Sequence, residues 1–132
     1  MATPRRRLDR EQRRTQLLDI GTQLFADRSY EDVWIEEVAE IAGVSRGLMY
    51  HYFPTKRDFF AAIVEHELAE QQARILDAWG FEGERRVLAA VAVRGWIAFV
   101  RAVCLDWLDH PSIPQEELRA ICLRTLAGAL GS

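Results

Sequence analysis

Residues 36–60 read EEVAEIAGVSRGLMYHYFPTKRDFF, and this stretch decides the fold of the chain. Apolar residues at helical spacing run up to Ala42, and Gly43 follows where a helix ends in a left-handed turn. Ser45 is suited to cap a second helix through its hydroxyl, and Pro54 prevents that helix from continuing. Two short helices joined by a turn that contains glycine are typical of a helix-turn-helix, a motif whose second helix enters the DNA major groove.

The remaining chain also predicts helices, with no alternating apolar pattern of the kind that strands need. A first helix is expected from about Asp9 to Ala26. Thr55 and Asp58 resemble a capping box that opens a long helix ending at Gly80. Two amphipathic helices follow, over about 84–109 and from about 116 onward, separated by a proline-containing turn. The sequence therefore predicts an all-α protein with a three-helix head, a long connecting helix and a terminal helix pair.

Composition is that of a folded chain, with 49% hydrophobic and 28% charged residues. No stretch looks apolar enough to span a bilayer and no signal peptide is visible, so we expect a cytoplasmic protein without a membrane segment. Charge is uneven: residues 1–57 hold ten Lys and Arg against nine acids, whereas residues 58–132 hold seven against eleven. Six arginines crowd residues 1–14, which are expected to be either a solvated, frayed tail or an arm that contacts DNA.

The string 36–60 closely resembles the N-terminal segment of the TetR family of bacterial regulators. The matching features are Val38 and Ala39, the turn 43–45, the segment 49–53 and Lys56. The resemblance implies a helix-turn-helix DNA-binding domain over 1–54 and a shortened helical dimerisation and regulatory region over 55–132. It also implies a regulator that binds a palindromic operator in double-stranded DNA as a homodimer, most often as a repressor.

The first turn of the second helix of the motif is expected to read base edges, because its side chains and backbone can approach the major groove. Arg46 can donate two hydrogen bonds to a guanine, Leu48 can contact a thymine methyl, and Gly47 allows close approach. By resemblance, a second group of residues contacts phosphates and so fixes the register on the duplex. The predicted DNA-binding residues are Ser45, Arg46, Gly47, Leu48, Tyr50, His51 and Lys56. Phe53 is interpreted as core, and Tyr52 as either core or contact.

A dimer surface is predicted on the terminal helix pair, because one recognition helix alone gives little affinity. By resemblance, this pair forms a four-helix bundle with its copy in a second subunit. The alternative is an intramolecular core. The predicted interface residues are Trp96, Phe99, Val103, Trp107, Leu118, Ile121, Cys122 and Leu126.

The sequence departs from the family pattern at three places. Trp34 stands where a capping threonine or serine is usual and cannot supply the cap. Ser29 stands where glycine is usual, and would cost about 1 kcal/mol if its backbone were left-handed. Only residues 80–93 stand where several pocket-forming helices are usual, so response to a small-molecule effector is doubtful. A smaller pocket where residues 60–80 meet 96–107 is the alternative.

Other classes of function find less support. The three histidines lack the spacing of a metal site, no phosphate-binding loop follows a strand, and the acid pairs 36–37 and 116–117 suit solvated helix faces. We therefore expect neither an enzyme nor a metal or other cofactor. The two cysteines, Cys104 and Cys122, are interpreted as buried free thiols. The remaining alternative is a shortened relative that acts through mixed dimers without specific operator binding.

Overall fold

The computed structural model describes residues 8–131, and within that range it is helical and contains no β-strand. The predicted all-α class is therefore confirmed. The helices are α1 (Arg10–Asp27), α2 (Ile35–Ala42), α3 (Arg46–Tyr52), α4 (Lys56–Glu70), α5 (Gln72–Ala78), α6 (Gly83–Asp109) and α7 (Gln115–Ala129), with a short 3-10 helix at Tyr30–Asp32. The chain divides into two compact units between Ile63 and Val64.

The first helix begins with a capping box at the residue where the sequence predicts its start. The side chain of Asp9 accepts a hydrogen bond from the Gln12 amide at 2.7 Å, and the Gln12 side chain accepts one from the Asp9 amide at 3.1 Å. Two of the free amides at the helix start are thereby satisfied. Arg10, Arg13 and Arg14 consequently belong to a capped helix, so the prediction of a frayed tail is wrong for them. Arg5, Arg6 and Arg7 lie outside the described residues.

The turn between the second and third helices forms as the sequence indicates. Gly43 has φ +70° and ψ +32°, the left-handed conformation in which glycine pays no steric penalty. The side-chain oxygen of Ser45 then accepts a hydrogen bond from the Leu48 amide at 3.0 Å and caps α3. At the start of α2, Trp34 supplies no side-chain cap, as predicted, and 66% of its surface is exposed.

The serine between the first two helices does not carry the strain of a left-handed residue. Ser29 has φ −69° and ψ 160°, which is extended backbone that any residue adopts. Its hydroxyl donates a hydrogen bond to the Asp32 carboxylate at 2.8 Å, inside the short 3-10 helix. The head is therefore not destabilised at this position, and the conditional cost of about 1 kcal/mol does not apply.

The first unit is built around one apolar core to which the first four helices contribute. Its fully buried side chains include Leu17, Leu18, Val38, Met49 and Phe59. Because α4 inserts its first two turns into this core, the division at residue 63 comes later than the boundary that we predicted at residue 54. The long fourth helix thus belongs to the first unit at its start and to the second at its end.

The long connecting helix is interrupted, which the sequence did not indicate. Gln71 separates α4 from α5 with φ −89° and ψ −3°. Hydrogen bonds from the Gln71 amide to the Glu67 carbonyl and from the Ile75 amide to the Gln71 carbonyl continue on both sides. The apolar spacing therefore stays nearly helical through the interruption, and periodicity alone cannot reveal it. The predicted end holds, since Gly80 has φ +72°.

The second unit has its core between α5, α6 and α7. Leu76, Val93, Ile97 and Val100 are buried there. Trp96 is also buried, and its indole N–H donates to the Cys122 carbonyl at 2.8 Å. This hydrogen bond satisfies a polar atom inside the core and joins α6 to α7. The bounds predicted for these helices agree with the observed ones to within about one residue.

Helix α6 is more apolar than we expected. It contains an 18-residue window of mean hydropathy 1.8, so by length and composition it could cross a membrane, and the prediction that no stretch is apolar enough is wrong. The core helices of water-soluble proteins meet the same criterion. Here a third of the window, 33%, is buried within the chain.

Candidate nucleic-acid interface

Helix α3 presents one face to the core of the first unit and the other outward. Met49 has no exposed surface and Phe53 only 2%, and these residues lie four apart on the inward face. Ser45, Arg46, Gly47 and the residues that follow them on the outer face are exposed. The helix is thus held by a buried anchor while its first turn projects from the surface. Tyr52 is half-buried against the core, so of its two predicted roles the structural one fits.

The first turn of α3 leaves room for close approach from outside. A Cβ atom added to Gly47 would meet nothing closer than the Ser45 hydroxyl oxygen at 3.9 Å. The packing of the chain itself therefore does not require glycine at this position. Leu48 beside it keeps 36% of its surface exposed. The Ser45 oxygen is engaged as a cap, but its hydroxyl proton remains able to donate.

A carboxylate of α2 holds two of the predicted DNA-contacting side chains. One oxygen of Glu36, Oε1, accepts a hydrogen bond from Arg46 Nη2 at 3.1 Å and another from the Tyr50 hydroxyl at 2.9 Å. Sequence reasoning missed this role and interpreted Glu36 as a solvated helix face. A signal was present, because an acid in the first turn of the supporting helix can face the first turn of the recognition helix.

These contacts shift the pKa values of Glu36 and Tyr50. The pKa of Glu36 lies below its ordinary value because its own backbone amide, Tyr50 and Arg46 all favour the carboxylate form. The pKa of Tyr50 is raised, chiefly because its hydroxyl donates to Glu36. These shifts favour the carboxylate form of Glu36 and the neutral phenol of Tyr50. The Arg46 side chain remains 71% exposed, so it is accessible from outside the chain.

Lys56 begins α4 and is less exposed than a phosphate contact would suggest. Its ammonium nitrogen lies 4.4 Å from the centre of the Tyr30 ring, in cation–π geometry. Partial burial lowers the pKa of this lysine, against the opposing influence of Glu31 and Asp32. The positive charge is therefore held in a fixed place at the end of the recognition segment.

His51 lies near the basic start of the first helix. Together with Arg10, Glu11, Arg14 and Tyr52 it lines an open depression. Arg14 also stacks its guanidinium over the Phe53 ring, with 5.4 Å between the guanidinium carbon and the ring centre. Two arginines of α1 are thus brought to the C-terminal end of α3. The site prediction did not include them, although the sequence showed the arginine cluster.

The residues predicted for the dimer surface differ in how deeply they are buried within the single chain. Trp96, Leu118 and Leu126 are at most 8% exposed within the single chain. These three side chains are thus buried within the single chain, as expected for the alternative of an intramolecular core. Val103, Trp107, Ile121 and Cys122 are partly exposed, and Phe99 is 38% exposed. The most exposed large apolar side chains of α6 lie earlier on that helix, at Val87, Leu88 and Val91.

The reactive side chains of the described residues form no metal-binding group. No three His, Cys, Asp or Glu side chains within residues 8–131 come together in a way that could hold a metal ion. Both cysteines are free thiols. Cys104 is buried as predicted, with its pKa raised to about 11 mainly by burial, whereas Cys122 is only partly buried.

A turn of this geometry between a supporting helix and an exposed recognition helix defines a helix-turn-helix domain. Residues 17–63 match the family model described as bacterial regulatory proteins, tetR family. The first unit is therefore similar, over these residues, to the N-terminal segment of the tetR family.

Several curated proteins similar to this chain are named as transcriptional regulators. Over 94 residues the chain is 29% identical to the HTH-type transcriptional activator FasR of Mycolicibacterium smegmatis, covering 71% of this chain and 43% of the relative. It is 28% identical to the HTH-type transcriptional repressor AcnR of Corynebacterium diphtheriae, covering 65% and 45%. It is 36% identical to the HTH-type transcriptional regulator LuxR of Vibrio harveyi, covering 80% and 51%. The chain thus spans about half the length of these relatives.

Proposed function

We propose that this chain is a sequence-specific DNA-binding transcriptional regulator that binds a palindromic operator as a homodimer and represses transcription. The observation that carries the proposal is the outer face of α3, where Arg46, Gly47 and Leu48 are exposed above the buried Met49 anchor. An exposed first turn of a recognition helix is the part that contacts base edges in this class of domain. Repression has less support than DNA binding, because the relatives include both an activator and repressors.

Contacts to the DNA backbone are proposed for a second group of side chains around α3. His51 and Lys56 offer donors for phosphate near its outer face, and Tyr50 can join them by exchanging its hydrogen bond to Glu36 for one to phosphate. Such contacts set register without reading sequence. Arg10 and Arg14 add positive charge at the end of α3 that His51 occupies. This local charge supports binding to a polyanion although the whole chain has a formal net charge of −3.

The proposed dimer uses the part of the second unit that remains exposed. Leu88 and Val91 show 71% and 56% of their surface, and Phe99 shows 38%. Exposed apolar side chains along one helix are a common feature of subunit interfaces. We infer that a second copy covers this side of α6, with the predicted interface residues Val103 and Trp107 toward its C-terminal end.

Sedimentation of the wild type beside Leu88→Glu and Val91→Glu tests this proposed dimer, since the introduced charges should dissociate it. A wild type that sediments as a monomer would contradict the proposal.

We do not include control by a small molecule in the proposal. Trp96, one of the tryptophans expected to line a smaller pocket, packs in the same core cluster as Leu76 in the second unit. A ligand there would have to displace packed side chains, which is unfavourable. We therefore expect DNA binding without an effector. Titration of the DNA complex with lysate metabolites should leave the affinity unchanged.

The experiment that tests the function begins with an unbiased choice of DNA. The purified chain selects from a library of random duplexes through several rounds, and fluorescence anisotropy then compares the enriched duplex with a shuffled one across a salt series. A regulator should prefer the enriched duplex at physiological salt by about a thousandfold or more. Equal, salt-sensitive binding to both duplexes would instead favour the alternative of a mixed-dimer partner without specific binding.

Two substitutions separate base reading from phosphate contact. Arg46→Ala should lower the affinity for the enriched duplex and relax the preference at one base pair, because a bidentate contact to guanine is worth about 1–3 kcal/mol. Lys56→Ala should weaken binding to both duplexes alike and reduce the salt slope by about one. Arg119→Ala, at an exposed arginine of α7, removes the same charge far along the chain and serves as the control. If Arg46→Ala behaves like the control, Arg46 does not read DNA.

A further inference from the structure

We propose that Glu36 is a specificity-determining residue that positions Arg46 for base reading, an inference that rests on the proposed DNA-binding function. The Glu36 carboxylate accepts hydrogen bonds from both Arg46 and the Tyr50 hydroxyl, and it forms an ion pair with Arg46. It joins the supporting helix to the reading face of the recognition helix.

The geometry favours positioning over sequestration of the arginine. The Glu36 carboxylate accepts from one terminal nitrogen of Arg46, Nη2, at 3.1 Å. A guanidinium carries five N–H donors in a fixed plane, so the remaining donors stay available to a base. Because the Arg46 side chain is 71% exposed, it remains accessible from outside the chain. A flexible arginine would lose rotamer entropy on binding, and the carboxylate removes part of that cost beforehand.

The tyrosine contact holds the carboxylate itself in place. The Tyr50 hydroxyl donates to the same oxygen, Glu36 Oε1, at 2.9 Å. Tyr50 lies one helical turn after Arg46, so the three side chains form a small network across the surface between α2 and α3. The Glu36 side chain keeps 40% of its surface exposed, and its carboxylate lies beside Arg46 on the face proposed to bind DNA.

This arrangement predicts two opposing effects on DNA binding. The carboxylate repels phosphates, which lowers the affinity for every duplex. It also fixes the guanidinium, which raises discrimination at the base pair that Arg46 reads. Glu36→Gln removes the charge and keeps the size of the side chain. We expect this variant to bind the shuffled duplex about twofold to threefold more tightly, by one lost repulsion. Its discrimination at that base pair should fall roughly fivefold, part of what a bidentate contact supplies.

A matched control is available on the same helix. Glu40 is exposed on α2, and the hydrogen bonds and ion pairs of the described residues do not connect it to Arg46 or Tyr50. Glu40→Gln removes an equal charge from α2, so it should leave discrimination intact. In the background of Arg46→Ala, Glu36→Gln should have no further effect on discrimination, because its target is gone.

The test uses the full chain and a duplex enriched by the wild type, with each base pair of one half-site changed in turn. Loss of discrimination in Glu36→Gln at the same base pair as in Arg46→Ala, absent from Glu40→Gln, is the expected result. If Glu36→Gln and Glu40→Gln discriminate equally, Glu36 contributes charge alone and the inference is overturned. If the wild type enriches no duplex, the proposed function itself fails and the inference falls with it.

Discussion

Gly21 lies in the middle of α1, where alanine would normally be the better helix former by about 1 kcal/mol. We predict that Gly21→Ala nevertheless destabilises the chain. An added Cβ would lie 2.5 Å from Ile63 Cδ1 and 2.8 Å from Phe59 Cε2, and closer still to Phe59 Cζ. Carbon atoms in contact are normally about 3.5–4.0 Å apart. Both neighbours must therefore move by an ångström or more.

The room for such movement is small. Phe59 has no exposed surface, Ile63 has 4%, and the Phe53 ring lies 4.9 Å from that of Phe59. Overpacking of this kind costs about 1–3 kcal/mol, and two displaced side chains place Gly21→Ala near the upper limit. After the helical gain is subtracted, a net loss of about 2 kcal/mol is expected.

Urea unfolding followed by circular dichroism measures this difference. With a slope of about 2 kcal/mol per molar urea, the midpoint of Gly21→Ala should fall by about 1 M. Gly95→Ala is the matched control, because Gly95 lies within α6 and an added Cβ meets no atom within 4 Å. That variant should gain about 0.5–1 kcal/mol. If Gly21→Ala proves as stable as the wild type, the packing of α1 on α4 is looser than described.

Three further changes test other parts of the structure. Ser45→Ala removes the cap of α3 and should lower stability by about 1 kcal/mol in urea unfolding, whereas Ser45→Thr should retain most of it. Glu37→Gln tests the pair that Glu37 forms with Arg28 at 2.5 and 2.9 Å. Arg28 lowers the pKa of Glu37 below its ordinary 4.5, so the stability from this pair is present above that pH and is lost as pH falls below it. Thermal unfolding from pH 7 to pH 3 should therefore show a smaller acid loss in Glu37→Gln than in the wild type, and equal losses would show that the pair contributes nothing. Trp96→Phe removes the indole donor from the Cys122 carbonyl, which keeps its hydrogen bond from the Thr125 hydroxyl, and should cost about 0.5–1.5 kcal/mol in urea unfolding. An unchanged midpoint would contradict the assignment.

The local features of the head could be predicted from the sequence because each depends on residues close together in the chain. The Ser45 cap spans three residues, and the Gly43 turn depends on one. The buried anchor of α3 follows from helical spacing alone. Phe53 was expected in the core and is buried there, whereas the sequence left Tyr52 open between core and contact.

Contacts between helices were not predictable in the same way. The Glu36 carboxylate meets side chains that lie 10 and 14 residues later, and many rotamers of those side chains would avoid it. The sequence likewise did not separate Trp96, which is buried, from Phe99 on the same apolar stripe, which is 38% exposed. An apolar stripe on two packed helices can form an intramolecular core or a subunit interface. Only the packing of α7 on α6 shows which of its residues are buried within the chain.

The uneven charge of the chain and the position of Glu36 together bear on how selective binding is achieved. Affinity for any duplex increases with each phosphate that a cation neutralises, and this contribution does not depend on sequence. Under the proposed function, the Glu36 carboxylate beside Arg46 reduces that contribution where Arg46 meets the bases. It leaves the directional hydrogen bonds of the guanidinium as the main favourable interaction there. Under the proposed function, discrimination therefore increases because general attraction is limited near the base edges and kept at the flanks, by Arg10 and Arg14 at the start of α1.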